Sequence, residues 1–520
     1  MKRFLWLGFV LFLYLICTGC GDTFRPIIIP NPPTFPNPAA AHSVVSINDN
    51  GTFVAGSVMV IDVSGDTDMS NANLDIHPVH AVQQTANQVL VVNQAVTQAT
   101  VGNVPTTSCN VTIPIPPPSG PKETFNVCSS ITRLSFSSTI IASTSSISLP
   151  IYSGANFVAA APSDALAYVT LPTYPPDPTQ PLVIVPSVSV VNTSSNLVAP
   201  PTPVGKNPVA IAVTPDKSKL YVANQGDGTI SAFNTNAGNL SARTIDGSLT
   251  DPPIWLVARS DSQFVYVLEQ TSGTLASIAI TSTTGPDALT ETTNPLIQVP
   301  GATTMTYDPN LNRLYIPGGQ QMAIVDVSQS SPQYLAGGPI PTCDLAPKST
   351  NCIPTVAPSS RGASDPCSLT SEQTLTVVAV AALPDHSRAY VGAYYEDTVD
   401  SVNYICPQVT VIDATSNTVE IPSIAIPGFP DATIPNLPGG LPDPYYAPIC
   451  GTTNFRFTMA AGGDSTRAYL ASCDGGNVNI IDTSNDAYIE NLQAPLGSRP
   501  AIPPSLFNPP QNPVFFFAGP

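Results

Sequence analysis

Asn207-Pro208-Val209-Ala210-Ile211-Ala212-Val213-Thr214-Pro215-Asp216 is followed by Leu220-Tyr221-Val222-Ala223-Asn224 and then by Thr229-Ile230-Ser231-Ala232-Phe233-Asn234. These are three short β-type runs separated by polar turns, and versions of the same unit recur along the chain. With Tyr221 as anchor, the other copies centre on Leu90, Tyr168, Tyr266, Tyr315, Tyr390 and Tyr469, which makes seven. The anchor spacings are 78, 53, 45, 49, 75 and 79 residues. The shorter ones match the roughly 40–50 residues of a four-stranded propeller blade, and the longer ones imply insertions. One such unit cannot bury its own faces, so the copies must stack on one another.

An Asp stands five residues before the anchor in four copies (Asp216, Asp261, Asp385, Asp464), four before at Asp164 and seven before at Asp308. A hairpin must turn there, and the short Asp side chain bonds nearby backbone and tolerates unusual φ. The closing runs alternate apolar and polar residues, as in Ser187–Asn192, Met322–Asp326, Val409–Asp413 and Val478–Asp482. That period of two, rich in β-branched residues, means strand. The expected fold is all-β: a single β-propeller of seven four-stranded blades over 43–495. Val58–Val63 reads as a lone closing strand that pairs into the last blade. The alternative is that it belongs to the first blade and Asp486–Ile489 closes the last.

Tyr221-Val222-Ala223-Asn224-Gln225, preceded by Pro208 and by Thr214-Pro215-Asp216, resembles the YVTN-type β-propeller repeat, and Tyr168-Val169-Thr170 keeps part of that signature. The resemblance covers roughly residues 55–490. It implies the fold of the seven-bladed lactonase-like and surface-layer propellers, and it transfers no catalytic residue.

The N-terminus gives an address. Lys2-Arg3 precede an apolar run from Phe4 to Ile16 and then Cys17-Thr18-Gly19-Cys20, the pattern of an export signal over 1–19 with small residues before a lipid-accepting Cys20. The chain is accordingly expected to be exported and anchored to the cell membrane or outer membrane. Residues 20–42 form a tether with six prolines between Pro26 and Pro38, a polyproline-type spacer. Residues 496–520 are a second Pro-rich tail ending in Phe515-Phe516-Phe517, rings that either dock on a blade or stay free.

Acidic residues outnumber basic ones by 35 to 17, and loss of Lys2 and Arg3 with the leader takes the formal charge from −18 to −20. Nucleic acid is excluded as a partner on that charge. Eight of the ten cysteines remain after Cys17 and Cys20 are set aside. In an oxidising compartment the expected pairs are Cys109–Cys128, Cys343–Cys352, Cys367–Cys406 and Cys450–Cys473, although eight cysteines allow 105 pairings. Those eight contain no Cys-x-x-Cys pair and His42, His77, His80 and His386 are not clustered with them, so no metal and no cofactor are expected. Asp66, Asp68 and Ser70 echo the start of a calcium loop but lack its later Gly and Glu.

No zinc-protease, phosphate-loop or nucleophile-elbow motif is present, and catalysis is not expected. His77 and His80 read as structural residues opening a repeat. The polar residues after each anchor strand (Asn93, Gln94, Asn224, Gln225, Glu269, Gln270, Tyr395, Glu396 and Asp474) should share one rim and form the candidate binding surface. The leading expectation is a monomeric, lipid-anchored binding or scaffold propeller for an envelope protein, glycan or other surface component. The alternatives are a lactonase-like hydrolase using His80, Glu269 and Arg259, or a structural surface-layer component. Replacing Cys20 with Ala should abolish fatty-acid labelling and move the protein from the membrane to the soluble fraction. Retention in the membrane would overturn the anchor.

Overall fold

The computed structural model describes residues 43–519 apart from 51–54, 96–103, 105, 115–121, 162, 282–284, 344–350, 357–359, 363–364, 368–373, 431–456, 474 and 494–511. His42, Cys450 and Asp474 therefore lie outside the described residues, as do the leader and the tether.

Among the described residues eight blade sheets, antiparallel in their main strands, follow one another along the chain, one more than the seven expected. Seven of them open with the strands Pro78–Thr85, Val158–Ala160, Pro208–Val213, Pro253–Ala258, Thr306–Asp308, Thr376–Ala382 and Phe457–Ala461; these are blades 2 to 8. Blade 1 is composite: Ser43–Asp49, Ala55–Asp62 and Thr67–Ile76 are its second, third and fourth strands, and its first strand is the C-terminal Asn512–Ala518. Val45 pairs with Phe517 on one side and Val60 on the other.

Two expectations are corrected here. Val58–Val63 does not close the last blade, because that blade has its own fourth strand, Ala487–Gln493. The tail assigned to 496–520 is not all outside the ring, because its end supplies the strand that closes it. The closing run that lacked opening strands was the third strand of an eighth blade, whose first strand lies at the other end of the sequence.

The second strands, Gln88–Asn93, Leu166–Leu171, Lys219–Asn224, Phe264–Glu269, Arg313–Gly318, Arg388–Val399 and Arg467–Ser472, carry the seven anchors. By register, Val45 holds the equivalent place in blade 1, since it pairs with Val60 two residues before Asp62, as Tyr469 pairs with Ile480 two before Asp482. All eight anchors are buried.

The described core is divided among apolar clusters that each lie between two neighbouring blades, and every anchor joins the cluster shared with the next blade: Tyr221 with Leu256 and Val265 of blade 5, Tyr390 with Phe457 and Leu470 of blade 8, Tyr469 with Met59 and Ile61 of blade 1. The residues flanking an anchor face the opposite way, so Leu220 and Val222 meet Tyr168 and Val188 of blade 3. This is the two-residue period of a strand buried on both faces.

The tyrosine hydroxyls extend that contact. Tyr221 donates to Asp287 Oδ2 of blade 5 at 2.8 Å, Tyr266 to the Val327 carbonyl of blade 6 at 3.4 Å, and Tyr390 to Asp486 of blade 8. Basic residues beside the anchors reach the same neighbours: Arg388 meets Asp486 at 3.1 Å, and Arg467 of blade 8 meets Asp66 of blade 1 at 2.9 Å. The hydroxyl of Tyr469, by contrast, is buried without a partner. Tyr221→Phe should thus cost about 1–3 kcal/mol, because it takes a bond from the buried Asp287 carboxylate, whereas Tyr469→Phe should be close to neutral. Denaturant unfolding of the two variants checks this, and equal losses would contradict it.

Candidate functional site

The two ends of the blades differ. At one end the first and second strands join through tight turns in which the repeated Asp accepts the amide two residues on: Ser218 on Asp216, Gln263 on Asp261, Ser387 on Asp385, Thr466 on Asp464, Leu166 on Asp164 and Asn310 on Asp308, all at 2.9–3.3 Å. The residue after the Asp in four of them (Lys217, Ser262, His386, Ser465) sits at φ between 59° and 63°. These turns also stitch blades together, since the Asp216 amide donates to Ser262 Oγ and the Asp385 amide to Ser465 Oγ, both at 2.9 Å. His386 belongs here, with Nδ1 3.4 Å from Asp308.

The other end carries the elaboration. A hairpin of Asn110–Pro114 and Lys122–Asn126 is inserted between the second and third strands of blade 2, tied by Cys109–Cys128. In blade 7 the second and third strands run on as a long hairpin, Arg388–Val399 with Val402–Asp413, held to the preceding chain by Cys367–Cys406. Cys343–Cys352 closes the segment beyond blade 6 on the same side. Cys473 is also disulfide-bonded, and Cys450, its expected partner, is not described. In blade 3 the connection from Leu171 to Ser187 exposes three successive apolar side chains, Leu182 at 74%, Val183 at 54% and Ile184 at 43%. Its turn is ordered by Asp177, which accepts from Thr179 N at 2.9 Å and Gln180 Nε2 at 3.1 Å.

Those of the expected rim residues that are described fall at this loop-bearing end, and most are used within the fold. Asn93 and Asn224 are buried, donating from Nδ2 to Thr132 Oγ1 at 2.9 Å and to Ser231 Oγ at 3.0 Å. Gln94 Nε2 donates to the Gly154 carbonyl at 3.4 Å. Gln225 and Gln270 meet across blades 4 and 5 at 3.0 Å, and Asn207 Nδ2 donates to Gln225 Oε1 at 2.8 Å. Tyr395 lies within the long hairpin, its side chain buried and its hydroxyl donating to the Cys367 carbonyl, while Glu396 is exposed.

Glu269 is fully buried. Its Oε2 accepts from the Asp251 amide at 2.9 Å and its Oε1 has no partner. Burial first, and the neighbouring Glu291 and Asp251 after it, push its carboxyl up from 4.5 to about 7. Arg259 lies at the opposite end of the same blade, since Ala258 pairs with Val265 whereas Pro253 pairs with Glu269. It is held by Asp261 at 2.7 Å and by the Val327 carbonyl at 2.8 Å. His80 is in blade 2. The acid, base and cation that a hydrolase would need from His80, Glu269 and Arg259 do not converge.

His77 and His80 play different parts. His77, at φ 54°, places Nδ1 2.9 Å from Asp49 Oδ2 of blade 1. Burial works against its charge, but the Asp49 carboxylate outweighs it and the pKa is raised. His80 is packed between the rings of Phe515 and Phe157, with centroids at 4.7 and 4.8 Å, and burial holds it down to about 3. These aromatic neighbours were not legible as a site in the sequence. Asp66 and Asp68 are engaged by Arg467 and by Asn71, and no group of three metal-ligating side chains occurs among the described residues.

A family model described as "Lactonase, 7-bladed beta-propeller" matches residues 187–307, from the third strand of blade 3 to the first strand of blade 6. Among solved structures, the chain is similar to apo AztD from Citrobacter koseri (TM-score 0.48, 10% identity, 91% of this chain and 97% of that one). It is also similar to the periplasmic gluconolactonase PpgL of Pseudomonas aeruginosa (0.44, 11%, 87% and 95%). A putative 6-phosphogluconolactonase of Bacteroides fragilis resembles it as well (0.41, 10%, 75% and 97%). No curated protein sequence matches it.

Because the folded Glu269 binds its proton more tightly than the unfolded chain does, its contribution to stability is complete below about 4.5 and is lost as the pH rises through about 7. Glu269→Gln should flatten that decline. A melting-temperature profile between pH 4 and 8 with an unchanged slope would show that the carboxyl does not titrate there.

Proposed function

We propose that this protein is an exported, envelope-anchored binding propeller that holds a protein or glycan of the cell surface on its loop-bearing face, without chemistry of its own. The observation that carries this reading is the segregation of the elaboration. The inserted hairpin of blade 2, the long hairpin of blade 7, the apolar tip Leu182–Ile184 and the three described disulfides are all at one end of the blades, and the other end is close-cut. A rigid ring presenting variable, clamped loops is an arrangement suited to recognition. Exposed apolar side chains on an ordered loop supply the hydrophobic centre that interfaces need. Cys20 and the proline tether would hold the ring at the envelope as a monomer.

The lactonase reading stands second, favoured by the family match over residues 187–307. Against it stands the separation of His80, Glu269 and Arg259.

The test is retention of purified protein on envelope fractions. Leu182→Ser combined with Ile184→Ser should weaken binding about tenfold or more, as for loss of apolar anchors, with Ser195→Asp at the opposite end as the control. Equal binding by both variants would remove the loop face from the reading. Turnover of a panel of lactones above background, lost in Glu269→Gln, would replace it with the hydrolase.

A further inference from the structure

Where blade 4 hands over to blade 5, two carboxylates hold one short stretch of chain. Glu269 ends the second strand of blade 5, and Val265 and Val267 on the same face of that strand pack against Tyr221 and Ala223 of blade 4. The Glu269 side chain therefore faces the seam between the two blades. Glu291 ends the fourth strand, Asp287–Glu291. Ala276 pairs with Val267 on one side and with Glu291 on the other, which puts both carboxylates on that face of the sheet. The connection between the blades passes beside them, and its consecutive amides are divided between the pair: Thr250 donates to Glu291 Oε1 at 2.6 Å and Asp251 to Glu269 Oε2 at 2.9 Å.

The pair is incomplete. Glu269 is fully buried, yet its Oε1 meets no hydrogen-bond partner. A protonated Oε1 would need an acceptor and an ionised one a donor, and this oxygen has neither. Buried polar atoms are otherwise satisfied in folded proteins, so an orphaned carboxylate oxygen calls for a missing partner such as a water or an ion.

The surroundings make that partner positive. The side chains whose charge acts on Glu269 are Glu291 and Asp251, both acidic. Asp251 is itself engaged, its Oδ2 accepting the Ser272 amide at 3.1 Å. Two carboxylates brought together inside a fold repel one another unless a proton or a cation lies between them. Glu291 is partly exposed, which gives an ion a way to the pair from solvent.

We propose that Glu269 and Glu291 bind a calcium ion at the seam of blades 4 and 5, with Oε1 of Glu269 and the carboxylate of Glu291 as its side-chain ligands and water completing the shell. The donors are all oxygen, which selects a hard cation, and a partly solvated, irregular set suits the loose geometry of calcium better than the strict octahedron of magnesium. A pair of carboxylates, short of the three side chains of a dedicated cage, makes a weak site of the roughly millimolar affinity found in exported modules. A proton competes for the same oxygen: with the Glu269 carboxyl pushed up to about 7, calcium must displace a proton at acid pH and meets an ionised ligand above neutrality. The ion fastens the carboxylates that hold Thr250 and Asp251, so the join between two blades comes to depend on the cations around it. The site does not depend on what the loop-bearing face holds.

The melting temperature of the full-length protein, taken in EDTA and then with CaCl2 at about 10 mM, well above the expected affinity, reads the site. Calcium should raise it by about 1–2 °C at pH 8 and leave it unmoved at pH 5, where the proton holds the oxygen. Glu269→Gln and Glu291→Gln should each abolish the rise. Should the buried Glu269→Gln fail to fold, as its melt in EDTA would show, the partly exposed Glu291→Gln carries the test. MgCl2 at the same concentration should give less than half the effect of calcium. No response to calcium at pH 8, or an undiminished response in Glu291→Gln, would overturn the site. A rise at pH 5 equal to that at pH 8 would overturn the role of Glu269. A response to magnesium as large as that to calcium would overturn the choice of ion.

Discussion

Each blade depends on the next through one contact, the anchor side chain of a second strand packed into the face of the following sheet. Tyr221, Tyr266 and Tyr390 make the point most fully. The ring fills the apolar wedge between blades, and the hydroxyl crosses to a group beyond it. The same contact recurs around the ring with Val45 and Leu90 in place of tyrosine. Stability is therefore divided among eight interfaces, none sufficient alone, and it reaches its full value only when the last meets the first.

This division explains why the insertions are tolerated where they are. The tight turns at one end form part of the interfaces, through Ser262 on the Asp216 amide, Ser465 on the Asp385 amide and Arg467 on Asp66. Extra chain there would separate neighbouring blades. At the other end the connections leave the sheets after the anchor has been placed, and the hairpins of blades 2 and 7 extend without disturbing a wedge. Loop closure costs grow slowly with length, and the disulfides reduce them further.

Much of this was legible in the residues. The alternating closing strands, the buried anchors and the Asp turns follow from local chemistry repeated at fixed offsets, and they gave the all-β fold and seven of the eight blades. The eighth was hidden for two physical reasons. Its anchor is Val45, which carries no tyrosine signal, and its first strand comes from residues 512–518, more than 400 positions away along the chain. The rim residues were placed at the right end of their strands by the repeat, but a sequence pattern does not separate an exposed amide from one consumed inside the fold, as Asn93 and Asn224 are. The aromatic contact around His80 was least legible of all. Phe157, His80 and Phe515 have no common motif and meet because the ring brings the first strands of three blades together.

The composite first blade also puts the seam of the ring inside one sheet. Ser43–Asp49 stands near the start of the ring and its partner Asn512–Ala518 at the far end of the described chain, so blades 2 to 8 lie between the two halves of one sheet. Without Asn512–Ala518, Ser43–Asp49 would present a bare hydrogen-bonding edge of the kind that accepts a foreign strand. The pairing of these two strands therefore does two things at once: it completes a blade, and it leaves no second-strand edge open at the seam.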